Sequence, residues 1–116
     1  MSRALVVIDH GPSTERGWLA LRTALALSLG GHDVAVFLYA EGAGWALPVD
    51  ARAWLGGDPD KEVAGLLDDA GAAVIVDRDS LEAIAGASVE PVRGIVLAER
   101  DDFDRRYSES ATVVSP

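Results

Sequence analysis

Residues 4–9 have the sequence ALVVID, and residues 33–39 have the sequence DVAVFLY. Each is a short apolar run next to an acid, and such runs are typical of buried β-strands. Residues 16–29, between them, are rich in leucine and alanine and stop at Gly30-Gly31, which predicts a helix with a glycine end signal. Strand, helix and strand follow within about 36 residues, the length expected of a right-handed parallel crossover unit.

The rest of the chain repeats this alternation. Asp58-Pro59 predicts the start of a second helix that runs to Gly71, and residues 72–76 predict a third strand. We interpret Asp79 as the cap of the short helix that follows. The remaining predicted elements are a strand at residues 95–97, a helix at residues 101–108 and an edge strand at residues 112–114. The alternation predicts a three-layer α/β/α domain with a mostly parallel five-stranded sheet, in which residues 1–116 form a single domain.

Composition and charge exclude several classes of function. The chain has 116 residues, a formal net charge of −9 and no cysteine. The negative charge works against nucleic-acid binding, because a phosphate backbone is bound mainly by lysine and arginine. No apolar run approaches the ~20 residues that cross a bilayer, and the first one is too short for a signal peptide, so we expect a cytoplasmic protein with no membrane partner. Without cysteine there is no disulfide, thiolate nucleophile or cysteine-ligated metal, and we predict neither a metal nor a cofactor.

The first predicted helix has unusually little polar surface. After its first turn Arg22 is its only charged side chain, so more of the helix is apolar than one sheet face needs. Either neighbouring parts of the chain or a second subunit cover the excess, and the sequence leaves both open. Trp45 and Trp54 lie in the segment 41–57, whose pattern fits neither a helix nor a strand, and they either cap the core or form a contact surface. With Trp18 on the helix, they are the candidate interface residues.

Ligand sites of parallel sheets lie at the carboxyl ends of strands, where the chain turns into the next helix. In the loop after the first strand, Ser13 or Thr14 is expected to cap the helix, whose free amides attract an anion. The loop lacks the glycine pattern of dinucleotide and phosphate loops. His10 beside Asp9 is a general base oriented by a carboxylate, a metal ligand or a polar loop residue. Because neighbours in an extended strand point to opposite faces, the pair meets only if the turn redirects one of the side chains.

The loop after the third strand contains the second pair of candidates. Asp77 and Arg78 either face a shared cleft, or act as a helix cap and a local counter-charge. His10, Thr14, Asp77 and Arg78 are therefore the candidates for a small-molecule or anion site. A further hypothesis is an enzyme that uses the adjacent Asp9 and His10 as an acid–base pair, but the chain has no metal-ligand set or serine motif to support catalysis.

Residues 4–46 carry an ordered set of features. After the first apolar strand come Gly11-Pro12, the helix, Gly31-His32 and the pattern Val-x-Val-Phe-x-Tyr-x-Glu-Gly at residues 34–42. In this order the sequence resembles the DsrE/DsrF/TusD-like sulfur-relay family, and residues 71–76 resemble that family's third strand more loosely. The resemblance implies the YchN-like α/β fold. It also implies a small cytoplasmic subunit of sulfur trafficking that forms a homotrimer or hexamer, or a hetero-oligomer with cysteine-bearing relatives.

In active members of that family, the resemblance implies, a cysteine just after the third strand carries sulfur as a persulfide. Alignment of the strand places this position at Asp77. A carboxylate neither replaces the thiolate nucleophile nor stores sulfur. The sequence therefore predicts a non-catalytic companion or structural subunit without sulfurtransferase activity. The alternative is a small-molecule or anion-binding domain that uses the loops after strands one and three.

Overall fold

The computed structural model describes residues 3–12, 14–47, 63–65, 71–86, 90–91, 94–99 and 111–114. The strands in these residues are β1 (Arg3–Ile8), β2 (Asp33–Leu38), β3 (Ala73–Asp77), β4 (Val96–Ala98) and β5 (Ala111–Val114). The helices are α1 (Glu15–Leu29), the 3₁₀ helix η1 (Ala40–Ala46) and α2 (Arg78–Ala85). The strands form one sheet in the order β4-β3-β2-β1-β5, and all of these pairs are parallel.

Both faces of the sheet are buried. One face carries Val6, Val36 and Val76, which have no exposed surface and pack in the same cluster as Leu21 of α1. The opposite face carries a second buried cluster, which consists of Leu5, Ala35, Phe37 and Ile75. Burial on both faces explains why the strand sequences are apolar runs without alternation. The predicted class, an α/β fold with a parallel sheet, is confirmed.

The first helix covers the sheet with one side and leaves apolar side chains on the other. Ala20, Leu21 and Ala24 are at most 2% exposed, whereas Leu19 and Leu29 are 64% and 67% exposed. The helix therefore has more apolar surface than the sheet covers, as the sequence predicts. Among the described residues, no helix has both the length and the apolar character that a bilayer span requires.

Two local predictions need correction. Residues 41–46 fall in the segment predicted to be irregular, but with Ala40 they form η1, which the Trp45 hydrogen bond to the β1–α1 loop holds in place. The cap of α2 is Asp77 rather than Asp79: its carboxylate accepts a hydrogen bond from the Ser80 amide, so the helix starts at Arg78 and Asp79 lies in its first turn.

Other predictions shift by a residue or fall outside the described part of the chain. Strands β3 and β4 each lie one residue beyond their predicted ranges, 72–76 and 95–97. Of the predicted helix that starts at Asp58-Pro59, the structure describes only residues 63–65. The predicted helix at 101–108 lies outside the described residues, and so does Trp54. β5 lies at the edge of the sheet, as predicted, and pairs with β1.

Candidate functional site

The chain leaves three neighbouring strands side by side at one edge of the sheet. The register aligns Ile8 with Leu38, and Leu38 with Val76, so β1, β2 and β3 end at the same level. The segments that follow these strands are the β1–α1 loop (residues 9–14), Tyr39 with η1, and α2. Because ligand sites of parallel sheets lie at this edge, these segments form the candidate site.

Two tryptophans fix the backbone of the β1–α1 loop. The Trp18 indole nitrogen donates a hydrogen bond to the Pro12 carbonyl at 2.7 Å, and the Trp45 indole nitrogen donates one to the His10 carbonyl at 3.0 Å. The two rings meet edge to face, with centroids 5.1 Å apart and an interplanar angle of 76°. An indole N–H that is buried normally has such a partner, and here both partners are loop carbonyls. The carbonyls of His10 and Pro12 are therefore held to the core by these two side chains.

Two glycines allow the segments of this edge to pack backbone against backbone. A Cβ at Gly42 would lie 1.9 Å from the carbonyl oxygen of Ile8, and a Cβ at Gly17 would lie 2.0 Å from the carbonyl oxygen of Gly11. Both distances are far inside van der Waals contact, so neither position accepts a side chain without movement of the backbone. The close approach leaves no open cradle beneath the loop at these two points.

Thr14 caps α1 as the sequence predicts. Its hydroxyl oxygen accepts a hydrogen bond from the Gly17 amide at 3.0 Å and donates one to the Gly11 carbonyl at 3.1 Å. Capping satisfies one of the amides that a helix start leaves without a partner. The Thr14 hydroxyl thus uses its one donor and one acceptor position to hold the loop and the helix start together.

Asp9 and His10 meet in spite of their adjacency in sequence. His10 Nδ1 lies 2.7 Å from Asp9 Oδ1, with the two side chains 30% and 45% exposed. The turn after β1 redirects one side chain, which the alternation of an extended strand would not do. A carboxylate on one imidazole nitrogen fixes the orientation of the ring. The other nitrogen, Nε2, can then exchange a proton or bind a ligand, as in many acid–base and ligand-binding histidines.

A second polar network joins β3, α2 and η1. Asp77 is 4% exposed, and its Oδ2 accepts hydrogen bonds from the Ser80 amide at 3.0 Å and from the Ser80 hydroxyl at 2.7 Å. Ser80 Oγ in turn accepts a hydrogen bond from the Ala40 amide at 2.8 Å. Ala40 has a φ of 51°, an uncommon backbone conformation for a residue with a Cβ, and the hydrogen bond from its amide helps to hold it there.

This network forms the floor of a cleft between η1 and α2. The cleft is open to solvent and has a volume of about 460 Å³, and the described residues that line it are Tyr39, Ala40, Glu41, Asp77, Asp79, Ser80, Ala83 and Ile84. Carboxylates and apolar side chains line it together, and no lysine, arginine or histidine of the described residues does so. The cleft therefore favours positive over negative ligands.

Within the described part of the chain, no group of three or more histidine, aspartate or glutamate side chains has a geometry that could hold a metal ion. The cleft carboxylates Glu41, Asp77 and Asp79 are included in that statement. The chemistry that these residues offer is hydrogen bonding and charge attraction.

Comparison with known proteins gives a family match and a structural likeness. The sequence model of the DsrE/DsrF-like family matches residues 2–116. The chain belongs to the DsrE/DsrF-like family. Its fold is similar to the crystal structure of the ychN protein from E. coli, with a TM-score of 0.84, 14% sequence identity and full coverage of both chains. No curated protein sequence matches it. At 14% sequence identity this likeness shows a shared fold alone.

In this DsrE/DsrF-like chain the described contacts of the four candidate ligand residues differ. Of the four, only Asp77 lines the cleft between η1 and α2. His10 and Thr14 belong to the β1–α1 loop, where their polar atoms bond within the loop and the helix start. Arg78 Nε lies 3.9 Å from Glu99 Oε1, and both side chains are largely exposed.

The candidate interface residues also differ in their placement. Trp45 is 1% exposed, and its indole nitrogen donates a hydrogen bond to the His10 carbonyl, so Trp45 belongs to the core. Trp18 is half-buried, with the Arg22 guanidinium 5.7 Å from its ring centroid. The large apolar residues of α1 that are exposed are Leu19 and Leu29, which the sequence does not distinguish from the other leucines of the helix.

Ser80, Glu41 and Tyr39 are site residues that the sequence analysis missed. Ser80 follows Asp77 by three residues, the spacing at which a cap side chain reaches a helix amide. The contact between these two residues could therefore be predicted from the sequence. Glu41 and Tyr39 belong to the Tyr-x-Glu pattern that carries the family resemblance. Their placement in a cleft wall depends on η1, which the local sequence does not predict.

Proposed function

We propose that this protein is a non-catalytic member of the DsrE/DsrF-like family that serves as an oligomer-forming companion or structural subunit in cytoplasmic sulfur trafficking. The supporting observation is the state of Asp77. The sequence resemblance puts this residue where active relatives carry their sulfur-bearing cysteine, and its carboxylate is buried and bonded to Ser80. The residue at the expected sulfur position is thus built into the start of α2.

The chemistry of sulfur transfer supports the same proposal. A persulfide forms when a thiolate attacks a sulfur donor, and the product stores sulfur as a sulfur–sulfur bond. The 116 residues contain no cysteine, so no side chain in them can form that bond. A role in sulfur trafficking would then come from binding or assembly with a partner that has the thiol.

The surface of α1 supports the assembly part of the proposal. Leu19 and Leu29 are 64% and 67% exposed on a helix whose other side covers the sheet. Large apolar side chains that protrude on one helix are the kind of surface that a second subunit covers. The proposed assembly is a homotrimer or hexamer, or a hetero-oligomer with a cysteine-bearing relative.

Sulfur transfer is tested directly with a cysteine desulfurase loaded with radiolabelled sulfur. We expect no label on the purified wild-type chain after exposure to the loaded enzyme. The variant Glu82→Cys, which places a thiol on the exposed surface of α2 away from the proposed contact surface, shows that the assay detects persulfide on this chain. Label that the wild-type chain accepts and passes on to a thiol would contradict the proposal.

Assembly is tested by sedimentation velocity at micromolar concentration. The wild-type chain is expected to sediment as a trimer or hexamer, alone or after mixing with a cysteine-bearing relative. The double variant Leu19→Lys with Leu29→Lys is expected to sediment as smaller species, because two charges on the contact surface oppose its burial. Ile84→Lys, an equivalent change of an exposed apolar residue on α2, is the matched control. A monomer under all these conditions would refute the assembly role.

A further inference from the structure

The cleft between η1 and α2 contains a buried carboxylate with one oxygen to spare. Asp77 is 4% exposed, and both of its hydrogen bonds within the described residues go to Oδ2. Oδ1 accepts no hydrogen bond from a described residue, although the side chain lines the cleft. Ser28 Oγ is the only fully buried side-chain oxygen or nitrogen without a partner among the described residues, so Asp77 Oδ1 is still reached by the water in the cleft. The cleft therefore presents an acceptor for a ligand that donates hydrogen bonds.

The charges around Asp77 determine the sign of that ligand. Glu41 and Asp79 are exposed and line the same cleft, so three carboxylates face one space. The nearest basic residue in sequence, Arg78, does not line it and lies 3.9 Å from Glu99. The amino-terminal end of α2 adds roughly half a positive charge, which the carboxylates outweigh. The charges of the described residues therefore favour a cation over an anion in this cleft.

The remaining walls determine the shape and polarity of the ligand. Ala83 and Ile84 of α2 and the ring of Tyr39 line the cleft beside the carboxylates. Ile84 is 47% exposed, and Tyr39 is held by stacking on Phe37, with ring centroids 5.9 Å apart. An apolar wall next to an acidic floor fits an organic cation with a hydrocarbon chain better than a hydrated metal ion.

We propose that the cleft between η1 and α2 binds an alkylammonium group. The ammonium donates a charge-assisted hydrogen bond to Asp77 Oδ1 and is attracted by Glu41 and Asp79. The alkyl chain lies against Tyr39 and Ile84. A volume of about 460 Å³ accommodates a chain of several carbons. Two sources offer this group, a free aliphatic amine and the side chain of a lysine in a partner protein. The inference does not depend on the proposed role in sulfur trafficking.

The test is a titration of the ¹⁵N-labelled protein with n-butylammonium chloride, followed by amide NMR signals. The signals of Ala40 and Ser80 report on the cleft, because both amides belong to its hydrogen-bond network. We expect saturable shifts of these signals with a Kd on the order of 1 mM, a typical strength for one charged contact with a short apolar chain. n-Butanol and sodium butyrate at equal ionic strength are expected to leave the two signals in place. Equal shifts with butanol, or none with butylammonium, would overturn the proposal.

Three variants separate a specific site from general attraction to an acidic protein. Asp77→Asn keeps the size and the capping oxygen but removes the charge, and we expect the affinity for n-butylammonium to fall roughly tenfold or more. Asp79→Asn, at the exposed rim, is expected to lower it only about two- to threefold because of solvent screening. Glu82→Gln removes an exposed charge from the same helix outside the cleft, and binding should stay unchanged.

These variants also protect the test against misfolding. If Asp77→Asn does not fold, the comparison of Asp79→Asn with Glu82→Gln still decides the matter, because both residues are exposed on α2 and only Asp79 lines the cleft. Equal affinities of these two variants would refute a site at the cleft. Titrations with 1,4-diaminobutane and with lysine blocked at both ends then identify the source. Tighter binding of the diamine supports a free amine, tighter binding of blocked lysine supports a partner protein, and failure of both overturns the proposal.

Discussion

Ser80 donates a hydrogen bond from its hydroxyl to Asp77 Oδ2 across 2.7 Å. The same hydroxyl oxygen accepts the Ala40 amide at 2.8 Å, so one side chain joins the end of β3 to the start of η1. Ala40 lies in the left-handed region, with a φ of 51°, a conformation that costs a residue with a Cβ about 1 kcal/mol. The cap of α2 and the strained start of η1 thus depend on the same hydroxyl group.

Ser80→Ala is expected to lower the free energy of unfolding by about 2 kcal/mol, because it removes both hydrogen bonds and leaves the Ala40 amide without its partner. Urea denaturation followed by circular dichroism measures the change. Glu82→Ala, at an exposed position of the same helix, is the control and should change stability by less than about 0.5 kcal/mol. Similar losses in the two variants would show that the Ser80 hydroxyl does not stabilise this junction.

Gly42→Ala should destabilise the protein by about 3 kcal/mol or prevent folding, because its Cβ would lie 1.9 Å from the Ile8 carbonyl oxygen. Gly44→Ala is the matched control within η1, since its Cβ would meet only Pro12 Cδ at an ordinary 3.5 Å. We expect the control to stay within about 1 kcal/mol of the wild type. Thermal unfolding of the two variants side by side gives the comparison. A stable Gly42→Ala variant would contradict the close approach of η1 to β1.

Thr14→Ala should lower the unfolding free energy by about 1 kcal/mol through loss of the α1 cap. Thr23→Ala, on the exposed side of the same helix, is the control. The Thr23 hydroxyl donates to the Leu19 carbonyl four residues earlier at 2.8 Å, a bond within the helix that adds little stability. Because alanine has the higher helix propensity, this second variant should be as stable as the wild type or slightly more so. Chemical denaturation midpoints that rank the two variants in the opposite order would argue against the cap.

Trp45→Phe should lower the unfolding free energy by about 2–3 kcal/mol, because it removes the hydrogen bond to the His10 carbonyl and part of a side chain that is 1% exposed. Trp18→Phe removes the equivalent bond to Pro12 from a half-buried side chain, and we expect about half that loss. Calorimetric unfolding of both variants tests the order of the effects. Loss of equal size in both would mean that burial of Trp45 contributes nothing beyond its hydrogen bond.

The sheet could be predicted from the sequence because its signals are local. Residues 4–9 and 33–39 are apolar without alternation, as strands buried on both faces must be, and Gly30 follows the helix between them. The family resemblance depends on the same stretch, and the family match over residues 2–116 confirms it.

The cleft could not be predicted because its walls depend on contacts between distant residues. The Trp45 indole holds η1 to the His10 carbonyl across 35 positions of sequence, and Ser80 contacts Ala40 across 40. Local patterns cannot represent such contacts. The misassigned cap has a different cause: Asp77 and Asp79 are both followed three residues later by a side chain that suits a helix start, and only the structure shows that Asp77 is the cap.

The position of β1 between β2 and β5 has a consequence for synthesis of the chain on the ribosome. β1 is made early and gains β2 soon afterwards, but its other flank pairs with β5 at residues 111–114. Until those residues emerge, this flank of an apolar strand presents unpaired N–H and C=O groups, which favour pairing with strands of other chains. A stalled nascent chain that lacks residues 111–114 is therefore expected to aggregate more readily than the full chain.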